Sequence, residues 1–399
     1  MEKPIGSRNR RRLARYEDTA RRAIAEGRIP GAVAMVGNER EVVYASAFGP
    51  SSRPDGRPHS LDDVFMIASM SKAVTSVAGA QLLEQGRYSL DQPVEELLPE
   101  IAETKVLTGF DSADRPVLRA PRAKPTIRHL FTHTSGHSSD VWNASSLRYR
   151  QVEQLPGTAT CKKAAFSLPL VFDPGSAWEY SIATDWLGMT VERLSGMRLE
   201  EYFRKWIFDP IGMEWTSFII SPRQRAELVP VRGKRAGGGF DTLDFEISQT
   251  PEQYMGGAGL YASTGDYLKF LQMFLNRGMG ANGRVLKPET VELMFSNHIG
   301  EIEIPVMKTV LPALSVDVHL LPGERKKWSL CGLTNLDDIP GRRRAGSQFW
   351  GGLGCSYFWV DPRSRLAGLI MMSYFPFGDA DGLAVFDALE TESYAQFAA

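Results

Sequence analysis

The sequence predicts an α/β protein whose α/β domain is built from both ends of the chain and is interrupted by a helical insertion. Two observations lead to this prediction. Strand-like and helical segments occur together near both termini, whereas the middle of the chain consists of helical fragments separated by proline and glycine loops. We place the α/β domain at residues 1–88 and 298–399, and the mainly helical domain at residues 89–297.

The predicted elements near the N-terminus are two helices and a β-hairpin. Apolar residues recur at helical spacing over residues 10–26, which predicts an amphipathic helix. Residues 32–36 and 42–48 are short apolar runs rich in β-branched side chains, and the polar residues between them predict a hairpin. A second helix is expected over residues 69–85.

The middle and the C-terminal part supply the remaining elements. Residues 361–364 read Asp-Pro-Arg-Ser, which is typical of a turn between two strands. The predicted elements are helices over 199–207, 265–276 and 287–295, strands over 356–360 and 367–374, and a closing helix over 384–397.

Composition limits the class of protein. The 399 residues are 43% hydrophobic with a net charge of −1, the balance of a globular protein with a sizeable core. No apolar run approaches the ~18–20 residues of a membrane span, and the near-neutral charge argues against recruiting nucleic acid. No secretory signal is visible, and Cys161, Cys331 and Cys355 form no disulfide framework, so we expect a cytoplasmic location. The oligomeric state is left open.

Two arginine clusters could contact phosphate. Residues 8–15 contain five arginines and residues 341–344 contain three. Because acidic residues balance the whole chain, we expect a solvated helix face and a solvated loop instead.

The sharpest motif is Ser69-Met70-Ser71-Lys72, at the predicted start of a helix. The i,i+3 spacing puts Ser69 and Lys72 on one helix face, and the helix N-terminus provides free amides near Ser69. A serine hydroxyl becomes a nucleophile when a neighbouring base removes its proton. The surrounding residues are apolar or small, so Lys72 enters a buried helix, an expensive place for an unpaired charge.

Three motifs together resemble the serine β-lactamase and penicillin-binding-protein superfamily, and within it the carboxylesterases called family VIII. They are Ser69-x-x-Lys72, Tyr180-Ser181-Ile182 and Trp350-Gly351-Gly352, in the family's order. Segments 126–136 and 256–260 also resemble sequence patterns of the family. The resemblance spans most of the chain and implies a serine β-lactamase-like fold. In that fold an antiparallel sheet is flanked by helices, and the active site lies between it and a helical domain.

The resemblance also implies roles for particular residues. Ser69 resembles the nucleophile that accepts the acyl group, Lys72 its base partner, and Tyr180 a second proton-transfer residue. The backbone amides of Ser69 and Leu353 would form the oxyanion hole. A tyrosine must lie close to the lysine if the two are to share a proton at neutral pH. We expect no cofactor and no metal.

The third motif also implies a substrate-binding strand. Gly351 and Gly352 resemble the strand along the substrate, where missing side chains let the acyl group approach the backbone. Ile182 stands where β-lactamases usually carry an asparagine, and Trp350 where they carry a lysine that holds a substrate carboxylate. Both differences remove polar groups and add apolar surface, which favours small uncharged esters with apolar or aromatic parts. Trp350 could instead be a packing residue.

The histidines give no competing site. His129 and His133 are spaced i,i+4 on a predicted helix, as a metal pair would be, but no third ligand is apparent. We therefore interpret this segment as structural. The chain contains no Gly-x-Ser-x-Gly elbow, which argues against an α/β-hydrolase.

Several activities fit these motifs. The first hypothesis is a carboxylesterase that works through an acyl-enzyme at Ser69. The second is an acyltransferase that passes the acyl group to an alcohol of a natural product, because residues 106–136 resemble that branch of the superfamily. Weak β-lactamase or D-amino peptidase activity is a third, and a non-catalytic acyl-binding module a fourth. Loops 138–160 and 301–346 are expected to shape the pocket in each case.

Overall fold

The two ends of the chain meet in a seven-stranded antiparallel sheet, as a computed structural model that describes residues 12–398 shows. In the first half of the chain the elements are α1 Ala14–Ala25, β1 Ala32–Gly37, β2 Val42–Phe48, β3 Val64–Met66, α2 Ser71–Glu84, β4 Val106–Phe110, β5 Pro116–Arg119, α3 Ile127–Thr132, α4 Ala144–Val152 and α5 Ala183–Ser195. The second half contains α6 Leu199–Phe203, α7 Asp209–Ile211, α8 Pro222–Glu227, β6 Arg232–Lys234, β7 Phe240–Thr242, β8 Tyr261–Ser263, α9 Thr264–Leu275, α10 Pro288–Phe295, β9 Lys326–Trp328, β10 Leu333–Asn335, β11 Gln348–Gly352, β12 Ser356–Asp361, β13 Leu366–Met371, β14 Tyr374–Phe375 and α11 Ala380–Phe397.

The sheet runs β2-β1-β13-β12-β11-β10-β9, so the N-terminal hairpin is paired with a strand from the C-terminal part. Val33 of β1 lies opposite Met371 of β13. Strands β1, β12 and β13 are buried along their whole length, and apart from Ser356 and Asp361 at the ends of β12 their residues are apolar, aromatic or glycine. The resemblance to β-lactamases implies an antiparallel sheet of this kind, and the predicted fold class is confirmed.

Helices cover both faces of this sheet. Tyr357 and Phe358 are consecutive on β12 and therefore point to opposite faces. The ring of Tyr357 lies 5.2 Å from Phe386 of α11, whereas the ring of Phe358 lies 5.4 Å from Tyr267 of α9. α1 packs against α11, while α2 lies in the interior and packs against α5.

Most predicted elements are present, and their differences have local causes. The hairpin β1–β2 and the helices α9, α10 and α11 are confirmed, with shifts of a few residues at some ends. The helix predicted over 199–207 is confirmed, and it contains a π-helical turn, Arg204–Phe208, between α6 and α7. The strand predicted over 367–374 divides into β13 and β14, since Ser373 has a φ of 55° that interrupts the extended backbone.

The chain returns to the sheet earlier than the predicted boundary at residue 297. α9 lies inside the segment assigned to the helical domain, yet it covers one face of the sheet. Gln272 of α9 donates a hydrogen bond to the carbonyl oxygen of Asn38, in the turn of the N-terminal hairpin, at 2.8 Å. α9 therefore packs against the sheet and the N-terminal hairpin.

The expectation of a solvated loop at residues 341–344 is wrong. The Arg343 guanidinium is fully buried and donates to the Glu390 carboxylate of α11, with an Nε–Oε1 distance of 2.6 Å. Arg342 contacts the same carboxylate. Most of the other arginine cluster lies outside the described residues; within them, Arg12 forms an ion pair with Glu17 at 2.9 Å.

No helix within residues 12–398 has both the length and the apolar character needed to cross a membrane. Over the same residues, no group of three or more His, Cys, Asp or Glu side chains is arranged to hold a metal ion. The helix predicted to carry both His129 and His133 ends at Thr132, and His133 adopts a left-handed conformation with a φ of 58°.

Candidate active site

Ser69 lies in a single 3₁₀ turn, Ala68–Met70, that joins β3 to α2. Ala68 has a φ of 44°, a left-handed conformation that is unfavourable for alanine. Two hydrogen bonds hold the turn: the Ile67 amide donates to the carbonyl of Leu260 at 3.0 Å, and the Tyr267 hydroxyl donates to the carbonyl of Met70 at 2.9 Å. The turn places Ser69 at the wall of a cavity.

Lys72 follows one turn later, as the i,i+3 spacing predicts. Its Nζ lies 3.4 Å from Ser69 Oγ and donates a hydrogen bond to the carbonyl of Gly257 at 2.7 Å. The same Nζ lies 4.5 Å from the centroid of the Tyr180 ring. The side chain is buried, and its Nζ is surrounded by a hydroxyl, a carbonyl and an aromatic face.

Tyr180 is held in a cluster of aromatic rings. Its Oη accepts a hydrogen bond from the indole Nε1 of Trp350 at 3.1 Å. The rings of His133, Trp142 and Trp350 have centroids 4.8, 5.3 and 4.9 Å from that of Tyr180. The first two motifs and the tryptophan of the third therefore meet around Tyr180.

Gly352 of β11 lets that strand lie against the 3₁₀ turn Ala68–Met70, which is called the nucleophile turn because it contains the predicted nucleophile Ser69. A Cβ on Gly352 would come within 2.2 Å of the carbonyl oxygen of Ile67, two residues before Ser69. A Cβ on Gly351 would meet the carbonyl oxygen of Ser356 at 2.8 Å. Leu353 follows at the end of the strand and lines the same cavity as Ser69, which is where an oxyanion hole made by their amides would lie.

The cavity at Ser69 has a volume of about 270 Å³. Ser69, Lys72, Tyr180, Ile182 and Leu353 all line it, whereas Trp350, Gly351 and Gly352 do not. Trp350 lies behind Tyr180 instead of presenting an apolar surface to the cavity. The larger apolar side chains of the lining are those of Met66, Val141, Trp142, Ile182, Phe245, Ile247, Met255, Leu311, Leu314 and Leu353.

Two loops close one side of the cavity, and both were expected to shape it. Val141 and Trp142 come from the first loop, and Leu311 and Leu314 come from the second. The Val310 amide donates to the carbonyl of Val141 at 2.9 Å, so the loops are joined by backbone. Trp142 itself was not predicted, because nothing in its local sequence distinguishes it from the chain's other tryptophans.

Asp185 is a further cavity residue that the sequence analysis missed. It is buried on α5, and its Oδ1 accepts a hydrogen bond from the Gly257 amide at 2.8 Å. Lys72 binds the carbonyl of the same glycine, so the two charges flank one residue. Burial raises the pKa of Asp185 to about 6, although the charge of Lys72 acts in the opposite direction. A charged residue within the apolar run 182–187 was the available signal.

His133 was interpreted as structural, yet it contacts Tyr180. Its Nδ1 lies 3.0 Å from Ser181 Oγ, which fixes the ring beside the second motif. Burial lowers the pKa of His133 well below its ordinary value, and the charge of Lys72 adds to this effect. The ring is therefore neutral at physiological pH and acts here by packing and hydrogen bonding.

These features define a class of enzyme. A serine hydroxyl lies beside a buried lysine, a tyrosine ring packs against that lysine, and an apolar cavity opens at the serine. Together they equip the protein to form an acyl-enzyme at a serine and to transfer acyl groups. A sequence model of the family described as beta-lactamase matches residues 16–392, and the chain belongs to that family.

Curated relatives and solved structures agree with this assignment. The chain is 31% identical over 369 residues to the lovastatin esterase of Penicillium rubens, covering 88% of this chain and 91% of that protein. It is also 31% identical over 405 residues to the monacolin J acid methylbutanoyltransferase of Aspergillus terreus, covering 96% and 95%. A mutant of simvastatin synthase from Aspergillus terreus superposes with a TM-score of 0.83 at 31% identity, covering 96% of each chain. The chain is thus a serine acyl-transferring enzyme.

Proposed function

We propose that the protein is a serine carboxylesterase, similar to the family VIII enzymes, that hydrolyses small uncharged esters. The observation that carries this proposal is the cavity at Ser69. Among the described residues that line it, Lys72 is the sole lysine or arginine, and its Nζ is engaged by the carbonyl of Gly257. The rest of the lining is largely apolar, which suits an uncharged acyl group and disfavours a substrate carboxylate.

The proposed reaction has two halves. Ser69 Oγ bonds to the ester carbonyl carbon while its proton passes to the Lys72–Tyr180 pair, which must hold one proton fewer than its full complement to accept it. The amides of Ser69 and Leu353 stabilise the oxyanion. The carbon–oxygen bond to the alcohol then breaks, and the alcohol leaves with that proton. Water attacks the acyl-enzyme, and its proton returns through the same pair to Ser69 Oγ as the carboxylic acid leaves.

We propose short or branched acyl groups as substrates. A cavity of about 270 Å³ lies at the small end of ligand sites. The relative from Aspergillus terreus is named as a methylbutanoyltransferase, and the methylbutanoyl group is a small branched acyl group that suits a cavity of this volume. β-Lactams, which carry a carboxylate, are expected to be poor substrates.

A series of p-nitrophenyl esters from acetate to dodecanoate tests the proposal. We expect turnover to be highest for short and branched acyl groups, and Ser69→Ala to reduce it at least about 10³-fold. Nitrocefin hydrolysis by the same preparation should be much slower. Equal rates in wild type and Ser69→Ala would contradict the proposal.

Acyl transfer to an alcohol is the second candidate, and the transferase relatives favour it. Adding an alcohol during ester turnover separates the two activities. A hydrolase forms the new ester in proportion to the alcohol concentration, because the alcohol merely competes with water. A transferase with a binding site for its acceptor shows saturation, with ester replacing free acid as the main product. Saturation at millimolar alcohol would overturn the assignment as a carboxylesterase.

We also propose a cytoplasmic location. The support comes from Cys161, Cys331 and Cys355, which are all buried and unpaired, as is usual in a reducing compartment. Fractionation of the native cells with an antibody to the protein tests this, and recovery from the extracellular fraction would contradict it.

A further inference from the structure

Trp350 is placed to act on Tyr180. Its indole Nε1 lies 3.1 Å from Tyr180 Oη, and the two rings pack with centroids 4.9 Å apart. Both side chains are nearly fully buried, so water does not compete for this hydrogen bond. Trp350 belongs to β11, the strand that also presses Gly352 against the nucleophile turn.

We propose that Trp350 is a positioning residue whose indole N–H orients the Tyr180 hydroxyl and stabilises the deprotonated form of Tyr180 that accepts the proton of Ser69. This inference rests on the proposed role of Tyr180 in proton transfer. It assigns to Trp350 a function different from contact with the substrate, and the residue does not line the cavity.

The chemistry of the indole group supports a directed effect. An indole N–H donates a hydrogen bond and cannot accept one. The proton of Tyr180 Oη therefore cannot point towards Trp350 and is left for another acceptor. A donor also binds a phenolate more strongly than a phenol, because hydrogen bonds to charged acceptors are stronger. The contact consequently favours the state in which Tyr180 can accept a proton.

Other charged or titratable groups also face Tyr180. Lys72 of α2 lies over its ring, and its positive charge acts in the same direction as the Trp350 donor. His133, after α3, is kept neutral by burial. Burial raises the pKa of Glu179, the residue before Tyr180, to about 7. Asp185 of α5 also lines the cavity. All four remain in a variant that changes Trp350 alone, so a comparison with wild type isolates the indole donor.

Trp328 provides a matched control in the same aromatic cluster. Its ring lies 4.6 Å from that of Trp350 and 6.4 Å from that of Tyr180. Its own Nε1, however, donates to the carbonyl of Phe131 at 3.2 Å. Replacing Trp328 by phenylalanine therefore disturbs the same packing without removing the donor to Tyr180.

The experiment measures how fast a fluorophosphonate labels Ser69 between pH 5 and pH 10 in wild type, Trp350→Phe and Trp328→Phe. This readout requires no ester substrate. We expect Trp350→Phe to slow labelling at neutral pH about tenfold and to move the rise in rate upwards by about one pH unit, the effect of one charge-assisted hydrogen bond. Trp328→Phe should leave the midpoint in place. In a Tyr180→Phe background, Trp350→Phe should cause no further slowing.

The inference is overturned if Trp350→Phe keeps the wild-type midpoint, or if its effect persists fully in the Tyr180→Phe background. Should Trp350→Phe fail to fold, Trp350→Met replaces it with the same expectation, because methionine also lacks the donor and fills irregular core space. A wild-type protein that is not labelled at Ser69 at all would contradict the proposed function itself, which separates the two failures.

Discussion

Asp185 shows what a single residue contributes to this site. A buried carboxyl group is costly unless it is paired, and here its hydrogen bond to the Gly257 amide ties α5 to the residue that also binds Lys72. The cost appears as a pKa raised by burial to about 6. An acid kept in such a place is typical of a functional site.

Asp185→Asn should change how stability depends on pH. The folded protein keeps the Asp185 proton up to about pH 6, whereas the unfolded chain loses it near the ordinary value of 3.8. The stabilising contribution is therefore complete below about pH 4 and is lost as the pH rises through 6. Asparagine does not titrate and can still accept from Gly257. We expect the free energy of unfolding of the variant to rise by about 2 kcal/mol relative to that of wild type between pH 4 and pH 7.

Urea unfolding of both proteins at pH 4, 5, 6 and 7 measures this difference directly, since all other titrating groups are common to the two chains. A difference that stays constant across this range would contradict the predicted burial of Asp185.

At the scale of elements, β11 is the strand on which the site depends. It carries Trp350 behind Tyr180, and it brings Gly352 against the carbonyl of Ile67 beside the nucleophile turn. Leu353, with the second amide of the proposed oxyanion hole, follows directly. The position of one strand thus sets the distance between groups that would act on the same carbonyl oxygen.

Gly352→Ala should move the Leu353 amide away from the turn that contains Ser69. Its Cβ would come within 2.2 Å of a backbone oxygen, so the strand must move away from the turn. We expect kcat to fall about 10²-fold, as for a displacement of about 1 Å, and stability to fall by about 1–3 kcal/mol. Ester kinetics and thermal unfolding measure the two effects.

Gly354→Ala is the control for this change, because it lies just beyond the same strand and its Cβ meets its nearest heavy atom at 3.5 Å, an ordinary contact. We expect near-wild-type kinetics and stability. Equal losses in the two variants would show that the close approach of β11 is not what the activity requires.

Elements that depend on local pattern were predictable from the sequence. Two apolar runs around a polar turn predict the β1–β2 hairpin, and the helical sequence pattern after Ser69 predicts α2. The place of α9 on the sheet was not predictable, because an apolar helix has the same sequence pattern whichever element packs against it. His133, Trp142 and Asp185 were missed for the same reason: each joins the site through contacts with distant segments.

At the scale of the whole molecule, the C-terminal helix and the segment before β11 are joined by a buried ion pair. Arg343 and Glu390 are both fully buried. Burial alone would raise the pKa of Glu390, but the charges and hydrogen bonds of Arg343 and Arg342 outweigh it and lower that pKa. The sequence pattern suggested a solvated loop, because charge balance along a chain does not reveal which arginine is enclosed.

Arg343→Met should destabilise the protein by about 3 kcal/mol or more, since breaking a buried pair leaves one charge without its partner. Arg344→Met is the neighbouring control. Arg344 forms a half-exposed ion pair with Asp338 at 3.2 Å, and we expect its loss to cost less than about 1 kcal/mol. Urea unfolding measures both, and similar losses in the two variants would contradict the buried pair.

We propose that Ser69 carries the acyl group between the two halves of a transfer reaction. The most direct test is mass mapping of peptides after the protein is mixed with p-nitrophenyl butanoate and quenched in acid within seconds. We predict a butanoyl group on Ser69 in wild type and no acylated peptide in Ser69→Ala. Rapid ester turnover with no adduct at Ser69, or an adduct on another residue that persists in Ser69→Ala, would contradict the account.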